Sequence, residues 1–245
     1  MFLPEILNLG KGFRQYFEIV PALTDTLKDE VYRLRHQVYC VDLGFERERP
    51  DERETDAYDA QSLHVLIRSV QLGDFIGCTR IVRTRADDRH QPLPFEKSCA
   101  ATLDRSIVDP AKLPRESIGE ISRLAVISRF RKRKGEAQTP QGTADKNFGT
   151  WKNPRFPYIS AGLFFGVVEL ARLNGIETLF MLTEPREVSS IGRLIGTRPQ
   201  VIGGAIEHRG ERIPSRINTG RVGKDVNFLV RSLYRTVAEE IAQKR

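Results

Sequence analysis

Apolar residues recur at two different periods along this chain, and the switches between them predict its elements. Alternation over residues 16–20 predicts a short strand, which Pro21 stops. Leu23, Leu27, Val31, Leu34, Val38 and Val41 then follow at steps of three and four, predicting a helix that Gly44 ends. Two strands at 62–70 and 75–84 flank Gln71-Leu72-Gly73-Asp74, a credible hairpin turn. Residues 85–114 are irregular and proline-punctuated, with one short helix near 95–101. A strand beginning at Gly119 is followed by a Gly/Pro/Lys/Arg-rich stretch, which reads as an insertion at about 131–157. Ile159, Leu163, Val167, Leu170 and Leu173 mark a strong helix ended by Asn174-Gly175. Beyond it come a strand at 178–183, a short helix at 188–195 and strands at 201–207 and 212–217. A last helix, capped by Asp225, carries Val226, Val230, Leu233, Val237 and Ile241 on one face. The Gly203-Gly204 pair inside a strand predicts a bulge or a close backbone approach.

This order predicts one mixed α/β domain over 1–245 rather than the strict βαβ alternation of a dinucleotide fold. No G-x-G-x-x-G, Walker A, G-x-S-x-G or H-E-x-x-H pattern is present. Cys40, Cys78 and Cys99 are odd in number, far apart and in apolar company, which argues for a reducing compartment and against a disulfide framework. Neither they nor the four histidines show metal-ligand spacing, so no metal is expected. The N-terminus lacks a signal-peptide pattern, and the most apolar helix is too short and too charged to span a bilayer. A cytoplasmic protein is expected, with peripheral membrane contact left open.

A net charge of +7 changes the picture by pointing to an acidic partner: nucleic acid, anionic lipid, a phosphorylated cofactor or an acidic carrier protein. No helix-turn-helix and no interleaved aromatic-basic pattern supports nucleic acid. Five basic residues fall within six positions at the exit of the strand starting at Gly119, namely Arg129, Arg131, Lys132, Arg133 and Lys134. They suit a pantetheine phosphate or an acidic acyl-carrier protein, or else form a solvated basic turn.

Polar residues in apolar strands need partners. Glu120 and Arg123 lie on one such strand, and alternation puts them on opposite faces. Either the strand is kinked, or Arg123 holds the acidic loop in place. Arg80 is a mid-strand arginine, either a ladder ion pair on a wet face or an inward-facing site residue. Arg35 lies beside the first helix's apolar stripe, pointing to the core edge, whereas Arg33 and His36 are expected in solvent. The loop at 45–60 is dense in acids and arginines, most of them expected to be solvated. Asp56 and Asp59, at its end, are placed to point into a site.

These residues, in this order, carry a resemblance. The element order resembles the Gcn5-related N-acetyltransferase (GNAT) architecture, an α/β fold with a mixed, mostly antiparallel central sheet flanked by helices. Arg35, Tyr39, Glu54-x-Asp56-x-x-Asp59, Gly77-x-x-Arg80 and Glu120-x-Ser122-Arg123 resemble the motifs of acyl-homoserine-lactone synthases. The stretches 32–41, 103–106 and 122–126 are more similar still to acyltransferases associated with the PEP-CTERM/exosortase system. Phe45, where lactone synthases usually have tryptophan, and the basic insertion depart from the lactone-synthase pattern.

The resemblance implies acyl transfer from a thioester to an amine. Glu120 is the candidate proton acceptor, with Arg123 and Arg80 in the catalytic cluster. Arg35, Tyr39, Phe45, Asp56, Asp59 and Ser122 would shape the acceptor's site, an arginine fork holding its carboxylate and an aspartate its amine. Backbone N–H groups near Leu124 to Val126 would supply oxyanion donors if the strand splays there. Phe164, Phe165 and Leu163 line an acyl tunnel or are plain core. No permanently bound cofactor is expected; the co-substrate is an acyl-phosphopantetheine, as acyl-carrier protein or acyl-CoA. Three readings follow. The first is an N-acyltransferase making an N-acyl amino acid. The second is a lactone synthase using S-adenosylmethionine, and the third a basic binding module without catalysis.

Overall fold

The β-strands carry the architecture, because alternate residues along them feed two separate cores. In the computed structural model, which describes residues 9–85, 88, 90–131 and 157–245, β2 (Ser62–Ser69) turns Val65 and Ile67 toward one core and Leu66 toward the other. Its neighbours are β1 (Phe17–Pro21) and β3 (Phe75–Arg83), both antiparallel to it. β4 (Ile118–Val126) follows, then β5 (Thr178–Thr183) and β8 (Glu211–Asn218). The sheet is eight-stranded, in the order β1-β2-β3-β4-β5-β8-β6, with β6 (Gln200–Val201) and β7 (Ile206–Glu207) both pairing with β8. Among the described residues only β4 and β5 run parallel. The expected mixed, mostly antiparallel sheet is therefore present.

Helices cover both faces. On one, α4 (Tyr158–Leu173) and α7 (Arg231–Gln243) pack Leu163, Phe165, Val167, Leu233 and Val237 over Phe17, Val65 and Ile67. α1 (Leu9–Tyr16) adds Phe13 to this core. On the other, α2 (Asp25–Arg35) places Val31 and Leu34 against Leu66, Cys78 and Ala125. Thr24 caps α2, its Oγ1 accepting the Leu27 N–H at 3.2 Å.

Four expectations need correction. The first predicted helix does not continue as a regular α-helix to Val41: from His36 to Asp42 the chain widens into a π-helical turn. That turn leaves the Tyr39 carbonyl to accept from the N–H groups of both Phe45 and Glu46, and so starts the acidic loop. His36 is buried, not solvated, because the loop folds back and the Arg49 N–H donates to its Nε2 at 3.2 Å. The predicted strand at 201–207 is interrupted: Gly203 abuts the 102–103 backbone so closely that a Cβ would lie 2.6 Å from the Thr102 carbonyl oxygen. Asp225 ends a helix instead of capping one, since α6 (Thr219–Asp225) is capped by Asn218 and α7 starts afresh at Arg231.

Between α2 and β4 the connections bring α3 (Pro94–Ser98) under β5, with Phe95 stacked on Phe180 at 4.5 Å. Among the described residues no helix is long and apolar enough to cross a membrane. The insertion predicted at about 131–157 lies, save for its end residues, outside the described residues.

Candidate active site

Three arginines and three carboxylates lock the acidic loop onto α2, β3 and β4. Arg35, fully buried, donates Nε to Glu54 at 2.5 Å and its two Nη groups to Asp59 at 2.6 and 3.1 Å. Arg80, 2% exposed, donates Nε to Ser122 Oγ at 3.0 Å, Nη1 to Asp56 and Asp59 at 2.7 and 2.8 Å, and Nη2 to Asp56 at 2.9 Å. Its alternatives are thus resolved: it faces inward and is paired. Arg123 donates to Glu54 Oε1 from Nη2 at 3.1 Å and approaches Asp56 at 3.2 Å. Burial pushes all three acids up, yet the guanidinium groups outweigh it and hold each below its ordinary value, Asp59 at about 2. Glu54 is the member that counting loop charges missed. It belongs to the acidic motif, but nothing distinguishes it from its solvated neighbours until the loop folds onto Arg35.

Arg123 joins this cluster through a break in β4. Arg80 pairs with Ser122 and Cys78 with Ala125, so Thr79 alone faces two residues, Arg123 and Leu124. This is a β-bulge, with Arg123 at φ 52°. The extra residue returns Arg123 to the side that Glu120 and Ser122 serve, and all three line one cavity. Both alternatives for Arg123 hold together: the strand is kinked, and the arginine binds the acidic loop. Tyr39 supports the bulge, its hydroxyl donating to the Leu124 carbonyl at 3.0 Å and its ring lying 5.5 Å from the Arg123 guanidinium carbon.

Glu120 has a different environment. Among the described residues no guanidinium bonds to it; Oε2 accepts the Phe95 N–H at 2.8 Å at the start of α3. Burial pushes its carboxyl up to about 8, against the opposing pull of that N–H and of Arg80. At its side β4 and β5 part: pairing stops at Ile121 with Met181, although β4 runs on to Val126 and β5 to Thr183. The cleft opens into a cavity of about 890 Å³, within the usual range for a small-molecule site. Its lining joins the polar Asp56, Arg80, Glu120, Ser122 and Arg123 to the apolar Ala161, Phe164, Leu182, Ile191, Leu194 and Leu229, with Arg186, Glu187 and Arg193 among the latter. Of the three tunnel candidates only Phe164 reaches the cavity, since Leu163 and Phe165 are wholly inside the core.

Phe45 also lines the cavity, and the Arg209 guanidinium sits over its ring at 5.1 Å. The tip of the β7–β8 hairpin thus adds His208 and Arg209 to the cavity wall, residues for which the sequence carried no signal beyond a turn. Where it is described, the basic run at the exit of β4 divides into an exposed arginine, Arg129, and a buried one, Arg131. Arg131 is buried and bonded to Asp42, and Arg129 approaches Asp74 at 3.4 Å and lies over Phe130. Lys132, Arg133 and Lys134 lie outside the described residues. Among the described residues, no group of His, Cys, Asp or Glu side chains is arranged to hold a metal ion.

Residues 34–140 match the family model of the acetyltransferase (GNAT) domain. No curated protein sequence matches the chain. Among solved structures, the AHL synthase LasI is similar with a TM-score of 0.53 and 22% identity, over 83% of this chain and 89% of that one. BjaI, a CoA-dependent acyl-homoserine lactone synthase solved with SAM and isopentyl-CoA, matches with a TM-score of 0.54 and 17% identity, over 92% of this chain and 90% of that one. FeeM, an N-acyl amino acid synthase from uncultured soil microbes, matches with a TM-score of 0.52 and 13% identity, over 86% and 94%. This chain therefore has the GNAT fold, in the arrangement it shares with acyl-homoserine-lactone synthases and an N-acyl amino acid synthase.

Proposed function

We propose that the protein is an N-acyltransferase, a single catalytic domain moving a fatty acyl group from a phosphopantetheine thioester to the amine of an amino-acid-like acceptor. The observation that carries this reading is a buried carboxyl, Glu120, that among the described residues has no arginine partner, at the fork of β4 and β5 on a cavity lined by ion-paired and apolar side chains. Acyl-carrier protein is the favoured donor and acyl-CoA the other. The +7 charge suits an acidic carrier. A cytoplasmic location fits both donors.

The chemistry follows from the groups present. The acceptor's amine lone pair attacks the thioester carbonyl carbon, and the carbonyl π electrons move to oxygen. N–H groups of β4 beyond Ile121, on the edge that β5 leaves unpaired, are suited to hold that oxyanion. Glu120, ionised, takes the amine's extra proton directly or through a water. Collapse of the intermediate breaks the C–S bond, and the proton returns from Glu120 to the departing thiolate. Arg80, Arg123 and Asp56 keep the acceptor's side of the cavity polar and fixed in place.

The resemblance to PEP-CTERM/exosortase-associated acyltransferases, and Phe45 in place of tryptophan, favour an N-acyl amino acid over a lactone. The fold shared with BjaI keeps lactone synthesis from S-adenosylmethionine as the second reading. The test is intact-mass analysis after incubation with long-chain acyl-carrier protein or acyl-CoA, a pool of amino acids and S-adenosylmethionine. An N-acyl amino acid, lost in Glu120→Gln, supports the first reading. A lactone with released methylthioadenosine supports the second. Untouched thioester, together with salt-steep binding to DNA or anionic vesicles, would replace both with a basic binding module.

A further inference from the structure

Most guanidinium groups near the cavity already have a protein acceptor on every nitrogen. Arg35 and Arg80 spend every nitrogen on Glu54, Asp56, Asp59 and Ser122. Arg212 is likewise committed, to Glu184 at 2.9 Å and to the carbonyls of His208 and Arg209. An incoming carboxylate would have to share each of these guanidinium groups with carboxylates or carbonyls already in place.

Two arginines differ. Among the described residues Arg209 donates only Nη2, to the Phe45 carbonyl at 3.0 Å and Glu46 Oε1 at 2.6 Å, leaving Nε and Nη1 without an acceptor there. Arg123 gives Nε and Nη2 to Glu54, leaving Nη1. The two converge, because Arg123 Nη2 lies 3.9 Å from the same Glu46 oxygen. One carboxylate, about one-third exposed, thus serves two guanidinium groups at the cavity wall. The His208 ring, on the same wall, makes no side-chain hydrogen bond among the described residues. Burial, with Arg209, Arg212 and Arg123 nearby, holds its pKa below the ordinary imidazole value, so the neutral ring can act as donor or acceptor. The hairpin holds this geometry from outside the catalytic strands: Arg209 takes φ 55° at its tip and Gly210 φ 98°.

We propose that the acceptor's α-carboxylate binds at the β7–β8 hairpin tip, on Arg209 and Arg123 beside the His208 ring, replacing Glu46 as their counter-ion. This deepens the acyltransferase reading and rests on it. It assigns the acceptor to the α-amino acids, whether free or as the amino-acid end of S-adenosylmethionine. It also gives Arg209 the part of specificity residue.

The test measures acyl transfer from decanoyl-carrier protein and decanoyl-CoA to leucine, phenylalanine, tyrosine and S-adenosylmethionine, each beside its decarboxylated amine. Whichever acceptor turns over distinguishes a free amino acid from the sulfonium source. The acid should be preferred over its amine by about tenfold to a hundredfold in kcat/KM, the worth of a charge-assisted bidentate contact. Arg209→Gln should raise KM for the acid by a similar factor with little change in kcat, so that the preference for acid over amine falls toward one. Glu46→Gln, which removes the competing carboxylate, should lower KM for the acid. Equal use of acid and amine would overturn the proposal and leave acyl transfer standing. So would an Arg209→Gln defect that follows donor concentration, which would mark a phosphate contact instead. No transfer to any acceptor from either donor would remove the acyltransferase reading and this inference with it.

Discussion

Arg35 and Asp59 face each other with both Nη groups on both carboxylate oxygens, at 2.6 and 3.1 Å, and almost no water reaches either side chain. The contact ties α2 to the loop that carries Glu54, Asp56 and Asp59. Removing one partner strands the other's charge, so Arg35→Met and Asp59→Asn should each cost about 3–5 kcal/mol. Asp56→Asn should cost less, because Asp56 is about one-quarter exposed. Urea unfolding followed by fluorescence checks the order. Asp59 has a folded pKa of about 2, below its ordinary 3.8. Its contribution is therefore complete above 3.8 and lost as pH falls toward 2. Equal acid sensitivity in wild type and Asp59→Asn would contradict this assignment.

Glu120 should respond to pH in the opposite sense. Its folded pKa, about 8, lies above its ordinary 4.5, so the folded protein holds a proton that the unfolded chain releases between those values. Stability should decline as pH rises from 4.5 to about 8, and Glu120→Gln should remove that slope. If Glu120 accepts the amine's proton, kcat should rise through the same pH and flatten above it. The acceptor amine also titrates, so the deciding comparison is Glu120→Gln with a single acceptor. A rising limb near 8 that survives in the variant belongs to the amine.

What could be read from the chain divides along physical lines. Strand alternation located β2 and β3, and the 3.6-residue period located α4, because burial of one face fixes both patterns locally. The polar residues that meet in space were legible as candidates, Arg35, Asp56, Asp59, Arg80 and Arg123 among them, because an ion in apolar company needs a partner. Their pairing was not. Nothing local shows that Glu54 is buried while Glu52 is exposed, or that β4 takes an extra residue at Arg123. The π-helical turn at His36–Asp42 hides behind the pattern of an ordinary helix: Val41, on the apolar stripe by the α-helical step, is 50% exposed, whereas Cys40 is buried in its place. The hairpin tip at Arg209 reaches Phe45 and Glu46 across more than 160 residues of chain, a relation that only the fold creates.

The bulge at Arg123 makes a prediction that separates backbone from side chain. Arg123→Ala and Arg123→Gly both lose the Glu54 contact, but only glycine adopts φ 52° without a Cβ penalty. Arg123→Gly should therefore be more stable than Arg123→Ala by about 1 kcal/mol. In a regular strand, glycine would instead be the less stable by roughly 0.5–1 kcal/mol. Paired chemical denaturation curves decide it, and an alanine variant more stable than glycine would mean that β4 runs straight.

Acyl-chain selectivity should be set from α4. Ala161 and Phe164 line the cavity together with Leu182, Ile191 and Leu194, whereas Leu163 and Phe165, on the same helix, are buried in the core. Phe164→Ala should admit longer acyl chains, each additional buried methylene worth about 0.8 kcal/mol, or roughly fourfold in affinity. Ala161→Phe should fill the chamber and shift preference to shorter chains. Phe165→Ala serves as the control: it removes core packing at a cost of about 3–5 kcal/mol without touching the chamber. Competition among acyl-carrier proteins loaded with six to sixteen carbons, read by product mass, measures all three. Should Phe165→Ala move the chain-length profile as far as Phe164→Ala does, the acyl chain would have to lie deeper, between α4 and the sheet. Should neither variant move it, the apolar chamber would not be the acyl site.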